Sequence, residues 1–298
     1  MHYNEEMIYV KQILEQIRQD HPTLSCRAIY YKVNPVSIGR DRFERMCKEM
    51  GFTVERHINP CRTTNSNGVI RFDNLLIGIE ITSINQVWSS DITYYDVKNI
   101  FYYLTFILDN YSRKIVGYSV SSRLKTEHTT LVALKRAIKL TGKEVVKKSN
   151  IILHSDGGGQ YYDKNFLALT KEYNFKNSMC EYAYENGKAE RINGIIKNNY
   201  LRHKTINTME ELIAEVDRTV KLYNLERPHK SLKYKTPLEV EKEILFLQQQ
   251  TQSTTKESFD KKRVDLGASC PYNPEQTQSL IQDVISKKDL EIYENELV

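Results

Sequence analysis

The sequence predicts an α/β fold, a mixed five-stranded sheet with flanking helices, preceded by an all-helical module. Three observations support this prediction. Three β-rich stretches follow one another between residues 87 and 121, separated by short turns. Helical stretches then alternate with a short, wholly apolar strand at 151–153, as expected for a buried parallel strand. Residues 1–57 show apolar positions at helical spacing only.

The N-terminal residues 1–57 are interpreted as a module of helix-turn-helix type with three helices at about 5–19, 25–32 and 40–50. The first helix has an apolar stripe with a period of 3.6 residues, and the third ends at Gly51. The third helix also carries four cations, which either contact DNA or form a solvated face: Arg40, Arg42, Arg45 and Lys48. Residues 58–80 lack periodicity and are interpreted as a linker.

The next region, 81–205, is predicted to be the main domain. Strands at 87–97, 100–108 and 114–121 form an antiparallel meander with turns at 98–99 and 109–112. A helix at 126–140, the strand at 151–153, and helices at 164–173 and 187–200 follow, and this order is that of the ribonuclease-H-like fold. Residues 206–245 are predicted to be a C-terminal helical segment of this region, with a helix at 209–225. Residues 246–298 are interpreted as a flexible polar linker and an acidic tail.

Composition is that of a globular protein with an anionic partner. The formal net charge is +5, and 40% of the residues are hydrophobic. No apolar run is long enough to span a bilayer, and the N-terminus does not resemble a signal peptide. Five scattered cysteines without a CxxC motif argue against a disulfide framework and against structural zinc. We therefore expect a cytoplasmic protein without a membrane partner and with reduced cysteines as small core residues.

Three acidic residues in separate segments are the candidate catalytic and metal-binding groups. Asp91 lies in the first predicted strand, Asp156 follows the fourth, and Glu190 lies near the start of a helix. The two strands are neighbours in the predicted sheet, so the two aspartates should converge. Three clustered carboxylates repel one another unless cations hold them. Two divalent ions about 4 Å apart are a common arrangement for phosphoryl transfer.

Two other carboxylates compete for these roles. Glu185 lies five residues before Glu190 in a loop, and Asp109 lies in a turn that could reach the same end of the sheet. The helical face favours Glu190, because at 100° per residue it shares one side with Asn193, Gly194 and Lys197, while the apolar residues form the adjacent side. Trp88 is predicted to be a core residue. His154 either supports the metal site or is a half-buried polar residue at a strand end.

Five sequence blocks occur in order between residues 80 and 240: NQVWSSDITY (85–94), LDNYSRKIVGY (108–118), HSDGGGQY (154–161), YENGKAER (184–191) and YNLERPHKSL (223–232). On these blocks the chain resembles the integrase core of IS3-group insertion-sequence transposases, the second-frame product, and more distantly that of retroviral integrases. The resemblance implies a D-D-E triad of Asp91, Asp156 and Glu190 with two Mg²⁺ or Mn²⁺ ions. Between Asp156 and Glu190 there are 33 residues, slightly fewer than is usual in the family, which a loop deletion before the helix explains.

The resemblance also implies a DNA transposase that cuts DNA and joins it through a 3′-hydroxyl. Its partners would be double-stranded DNA (the terminal repeats of the element and the target), further copies of itself and a product of an upstream reading frame. Candidate DNA-binding residues are Lys188, Arg191, Asn193, Lys197, Arg202 and Lys204. Two alternatives stay open, a nuclease that only hydrolyses and a DNA-binding relic without catalysis.

Overall fold

Three helices precede the sheet in the computed structural model, which describes residues 3–54, 71–180 and 183–261. They are α1 (Tyr3–Asp20), α2 (Cys26–Val33) and α3 (Arg40–Glu49). The Ser25 side chain accepts a hydrogen bond from the Ala28 amide and so caps α2, and Gly51 adopts a φ of +73° just after α3. The helices share a core that includes the fully buried Leu14, Phe43 and Met46. The three helices expected in this region are therefore present.

The sheet has five strands in the order β3-β2-β1-β4-β5. These are β1 (Val87–Val97), β2 (Ile100–Asp109), β3 (Ile115–Ser121), β4 (Ile152–Ser155) and β5 (Lys176–Met179). The pairs β1–β2 and β2–β3 are antiparallel, whereas β1–β4 and β4–β5 are parallel. Lys98 and Asn99 both have positive φ, which matches the twist of a two-residue hairpin turn. This mixed sheet confirms the predicted fold class.

Helices cover both faces of the sheet. They are α4 (Thr130–Thr141), α5 (Lys143–Ser149), α6 (Lys164–Glu172), α7 (Gly187–Ile195) and α8 (Met209–Leu225); a further helix, α9 (Pro237–Lys261), follows them in the chain. One core, which contains Trp88 and Ile107, packs against α4, α5 and α6. The other contains Phe106 and Leu108 and packs against α7 and α8. Because side chains alternate along a strand, odd-numbered residues of β1 face α7.

The structure differs from the sequence expectations in two helices. The short helix α5 was not predicted. Helix α9 runs through 248–255, so the expectation of a flexible linker is wrong for these residues; glutamine, abundant there, is a good helix former. Residues 55–70 and 262–298, which include most of the predicted linker 58–80 and of the tail, lie outside the described residues. The domain boundaries stay predictions.

The N-terminal helices and the sheet belong to one compact unit, residues 1–247. Polar contacts join α1, α2 and the segment after α1 to the rest of this unit. His21 Nδ1 and Tyr200 Oη are hydrogen-bonded at 2.9 Å, Lys32 Nζ lies 2.9 Å from Glu226 Oε2, and Arg218 pairs with Asp20. Within the described ranges, no helix is long and apolar enough to cross a membrane.

Candidate active site

Asp91 and Asp156 lie just beyond the paired segment of two adjacent parallel strands. In the pairing of β1 with β4, Ser89 is opposite His154. Asp91 and Asp156 each come two residues after that pair, so both lie just past the last parallel rung, Asp91 within β1 and Asp156 directly after β4. The sheet topology therefore brings together the two aspartates that the sequence predicted to converge. Asp91 points toward the α7 face, as its odd register in β1 requires.

Helix α7 and the helical turn that follows it, residues 196–200, are bonded to β1 by side chains four residues apart. Asn193 Nδ2 donates to Asp91 Oδ2 at 2.8 Å, and Lys197 Nζ donates to Thr93 Oγ1 at 2.7 Å. Residues four positions apart on the helical segment thus meet residues two positions apart on the strand, which share one face. Glu190 lies one turn before Asn193 on α7 and is exposed. The helix therefore carries Glu190 toward the part of β1 where Asp91 lies.

A further contact fixes the start of α7. Asn186 is 3% exposed, and its Nδ2 donates to the Ser90 carbonyl at 3.0 Å. Buried Ala189 and Ile192 turn the apolar side of α7 toward the sheet. The orientation of this helix is therefore the one that its helical face predicts. The sequence does not predict that Asn186 anchors the loop before α7, because loop asparagines are common in turns and give no distinct signal.

The electrostatics of Asp91 show that the three acids are near one another. Burial, followed by the negative charges of Asp156 and Glu190, raises the pKa of Asp91 to about 7, although the hydrogen bonds from the Ile92 amide and the Asn193 side chain oppose this shift. Burial also raises the pKa of Asp156, and the Gly158 N–H, 3.1 Å from Asp156 Oδ1, opposes this. Buried carboxylates that repel one another are stabilised by a cation.

The donor set of Asp91, Asp156 and Glu190 fits a hard divalent cation, which prefers oxygen ligands. Among the residues that the structure describes, however, no three His, Cys, Asp or Glu side chains lie close enough together to form a finished metal site. Asp91 Oδ2 instead accepts a hydrogen bond from the Asn193 side chain, and Asp91 Oδ1 accepts one from the Ile92 amide at 2.9 Å. The elements are thus placed for metal binding, and the carboxylates would have to rotate to share an ion.

Asp109 has a structural role. It is 2% exposed, and its Oδ1 accepts hydrogen bonds from the Ser112 amide at 2.7 Å and the Ser112 hydroxyl at 2.8 Å. Its Oδ2 accepts from the Asn85 amide at 2.7 Å. Because both carboxylate oxygens of Asp109 hold the turn between β2 and β3, they are not available to a metal beside Asp91 and Asp156.

Glu185 lies on the β4 side of the same region. Its negative charge acts on His154 and on Cys180, two residues buried beside β4. Glu190, in contrast, acts on Asp91. Both glutamates are therefore near the candidate site, and the described contacts favour Glu190 because its helix is bonded directly to Asp91 through Asn193.

Two residues beside the aspartates have roles in the core. Trp88 is fully buried and packs against Phe175 with ring centroids 5.5 Å apart, which confirms its prediction as a core residue. His154 is also fully buried, and its Nδ1 is hydrogen-bonded to Ser178 Oγ at 3.0 Å. Burial lowers the pKa of His154 to about 4, so the ring is neutral at pH 7. His154 supports the strand pair β4–β5 from within the sheet.

The predicted DNA-binding residues differ in their exposure to solvent. Asn193 is 5% exposed and its side chain donates to Asp91, so it is not placed on the surface as a DNA contact would be. Lys197 is half-buried and lies 5.3 Å from the Tyr94 ring centroid. Arg191 and Arg202 are exposed, whereas Lys188 and Lys204 are half-buried. Burial and the nearby Arg113 lower the pKa of Lys188.

Comparison with known proteins agrees with this geometry. Two family models, both described as integrase core domain, match residues 82–184 and 173–237. The chain is 27% identical over 237 residues to the transposase for insertion sequence element IS629 of Shigella sonnei, covering 78% of each protein. It is 29% identical over 204 residues to the uncharacterized 31 kDa protein of insertion element IS600 of Shigella sonnei, covering 67% of this chain and 73% of that protein.

A solved structure supports the fold independently. The simian T-cell lymphotropic virus intasome, solved in complex with PP2A regulatory subunit B56 gamma, aligns with a TM-score of 0.50 and 14% identity. The alignment covers 76% of this chain and 72% of that one. Sheet order, helix placement and family matches together define an integrase core of the ribonuclease-H-like class. The matched region, 82–237, exceeds half of the chain, and the chain belongs to the integrase-core family of insertion-sequence transposases.

Proposed function

We propose that this chain cuts the ends of a mobile DNA element and joins them to target DNA through a free 3′-hydroxyl, with Asp91, Asp156 and Glu190 as a D-D-E triad. DNA transposition is the function of the chain by its family. The assignment of the triad rests on one observation, the bond from Asn193 of α7 to Asp91 of β1, which brings the helix that carries Glu190 to the aspartate pair.

Four side chains and one backbone group would prepare the site for chemistry. Asp91, Asp156 and Glu190 would hold two Mg²⁺ or Mn²⁺ ions through their oxygens. When bound, such ions activate the attacking water or 3′-hydroxyl and stabilise the leaving 3′-oxygen. Asn193 and the Gly158 N–H orient the two aspartates before metal binding. Because the Asp91 pKa is near 7, this carboxyl has to lose its proton as it takes up a cation.

The DNA would approach along α7. Lys188, Arg191, Arg202 and Lys204 lie on this helix or shortly after it and are proposed as phosphate contacts. Phosphate contacts supply affinity without sequence information, so recognition of the terminal repeats would need further elements. We further propose that copies of the chain assemble on DNA, because two element ends must be joined together, and that an upstream-frame product contributes to the assembly.

Strand transfer of labelled terminal-repeat DNA in Mg²⁺ tests the triad. Glu190→Gln should abolish both cleavage and joining, because the amide cannot replace a metal-binding carboxylate. Glu185→Gln is the matched control on the same segment and should keep most of the activity. If Glu190→Gln joins DNA as well as the unmodified chain while Glu185→Gln is inactive, Glu185 is the third ligand. If the unmodified chain cuts but never joins, the protein is a hydrolytic nuclease.

A further inference from the structure

A groove of about 1200 Å³ lies between the N-terminal helices and the sheet domain, inside the compact unit of residues 1–247. One wall is formed by the start of α2, by the exposed side of α3 and by Thr53–Val54. The other is formed by Arg191 and Ile195 of α7 and by the loop after α8, residues 227–231, with Tyr234. The groove is therefore separate from the aspartate pair but shares helix α7 with it.

The charge of this groove is strongly positive. Its lining includes Arg27, Arg45, Lys48, Arg191, Arg227 and Lys230, against one carboxylate, Glu44. That carboxylate is neutralised, since Arg27 Nε and Nη2 donate to its two oxygens at 2.6 and 2.9 Å. In the described chain, no salt bridge engages Arg45, Lys48, Arg191 or Lys230, and all four are exposed. The groove therefore presents cations from both walls without opposing anions.

Among the four cations of helix α3, the two without a salt bridge lie on the groove side. Arg40 pairs with Asp41 at 2.8 Å, and Arg42 pairs with Glu6 at 2.5 Å, so these two cations are used within the module. Arg45 and Lys48, on the groove, are not used in this way. The sequence could not separate these four residues, because all lie on the exposed part of one helix. The contrast argues that the groove cations serve a ligand.

The opposite wall is rigid and also rich in cations. Arg227 donates to Tyr200 Oη at 3.5 Å and lies over the ring of the same tyrosine. His229 packs edge-on against Tyr223, with ring centroids 4.8 Å apart. Burial, together with the charges of Arg227, Arg113 and Arg191, lowers the pKa of His229 to about 3. A cluster of like charges around a neutral histidine is costly unless an anion compensates it.

The groove is also preformed. The contacts of His21 with Tyr200 and of Lys32 with Glu226 join the two walls. His21 is 1% exposed, and Lys32 Nζ also donates to the Glu226 carbonyl at 3.2 Å. A ligand that enters therefore meets cations already in position, which lowers the ordering cost of binding.

We propose that this groove binds the sugar-phosphate backbone of the DNA segment that adjoins the cleavage site, so that the N-terminal module and the core hold one DNA together. The inference rests on the proposed function for the identity of the polyanion. Arg191 follows Glu190 directly on α7, so DNA in the groove would continue past the candidate active site. Binding by backbone phosphates would be independent of sequence and steeply dependent on salt.

Anisotropy of a fluorescein-labelled DNA duplex of random sequence, measured in EDTA over a salt series, tests this site without chemistry. The double variant Arg45→Glu/Lys48→Glu should weaken binding by about tenfold or more and lower the slope of log K against log salt by roughly 1 for each phosphate that the variant no longer neutralises. Lys230→Glu on the opposite wall should act in the same direction. The control Lys147→Glu/Lys148→Glu makes the same change of net charge on exposed α5 residues outside the groove lining.

The outcomes separate the groove from the triad. The binding assay is run in EDTA and involves no cleavage, so a failed triad assignment leaves the binding result unaffected. If the control double variant loses as much affinity and slope as the α3 double variant, only net charge matters and the proposal is wrong. If polyglutamate displaces the duplex from the groove at equal charge concentration, the site takes an acidic protein segment instead of DNA. Thermal unfolding of each variant checks that the fold is intact.

Discussion

At the scale of single residues, Asp91 is a carboxyl that the fold holds in an unfavourable setting. Its pKa in the folded chain is about 7, above the ordinary value near 3.8, because burial and neighbouring acids disfavour the charge. Its contribution to stability is therefore fully present below pH 3.8 and is lost as the pH rises through 7. A metal-binding carboxyl held in this way favours cation binding at the expense of stability without metal.

Asp91→Asn removes this unfavourable charge. Without metal at pH 8, we expect the free energy of unfolding to rise by about 2 to 4 kcal/mol, and the gain to vanish near pH 4. Urea denaturation in EDTA at the two pH values measures the difference. Glu144→Gln, an exposed carboxyl on α5, should give no such gain. Equal stability of Asp91→Asn and the unmodified chain at pH 8 would mean that Asp91 is not desolvated.

Asn193 allows a second prediction, for positioning. Asn193→Ala leaves Asp91 Oδ2 without its hydrogen bond, so the carboxylate is held less precisely. We expect strand transfer to fall by about 10- to 100-fold, with a higher Mg²⁺ concentration needed for half-maximal activity. The Mg²⁺ dependence is the readout that a purely structural loss would not change. Asn198→Ala, one turn further along, is the control and should keep the Mg²⁺ dependence of the unmodified chain.

Sequence reasoning succeeded where a residue's position follows from strand register or helical period, and it was incomplete where a role depends on a three-dimensional contact. Asp91 and Asp156 could be placed from the two strands alone. Asn193 was assigned to the correct face of α7, but its partner could not be inferred, because a side chain on that face can meet either DNA or β1. From the sequence alone, Asp109 competes with the other aspartates for a place in the metal site, because its hydrogen bonds within the turn are visible only in the structure.

At the scale of elements, the first four strands and the amphipathic helices are predictable because their apolar patterns are clear, whereas the sequence does not locate β5. Helix α5 is not predicted because its one buried residue, Val146, gives no period. Helix α9 extends beyond the predicted helical segment 206–245 because a polar composition does not exclude a helix. Long-range pairing also lies outside the sequence pattern, as in the 2.9 Å bond from the Ile115 amide to the Asn224 side chain, which joins β3 to α8.

Gly117 tests the packing of β3 against α4. A Cβ at this position would lie 2.3 Å from the Ala133 carbonyl oxygen and 2.6 Å from Ala137 Cβ. Gly117→Ala should therefore destabilise the protein by about 1 to 3 kcal/mol, because the helix has to move away from the sheet. Gly187→Ala, where nothing lies within 4 Å of the new Cβ, should change stability by no more than about 1 kcal/mol and not lower it, because alanine favours a helix over glycine. Urea midpoints of the two variants decide, and a tolerated Gly117→Ala would contradict the close approach of α4.

At the scale of the whole molecule, buried neutral histidines occur in separate layers of the fold. His21 lies where the N-terminal helices meet the core, and His154 lies inside the sheet. The pKa of each is lowered to about 4, mainly by burial; for His21 the charge of Lys32 contributes to the shift and Glu226 opposes it. Because the folded pKa is below the unfolded value near 6.5, each contributes stability that is present above pH 6.5 and lost as the pH falls through 4.

The pH dependence of global stability is the sum of these opposing groups. Between pH 6.5 and 4, each buried histidine should steepen the loss of stability by about 1.4 kcal/mol per pH unit. Asp91 has the opposite effect, because in this range it is protonated in the folded state and ionised in the unfolded state. Its slope should cancel that of about one histidine. Acid should therefore destabilise Asp91→Asn more steeply than the unmodified chain, whereas His21→Gln should flatten the curve. His203→Gln, an exposed histidine, should leave the slope unchanged. Urea midpoints over this pH range measure the slopes of stability against pH for the unmodified chain and the three variants. Identical slopes for His21→Gln and His203→Gln would mean that the acid sensitivity does not arise at the contact between the helical module and the core.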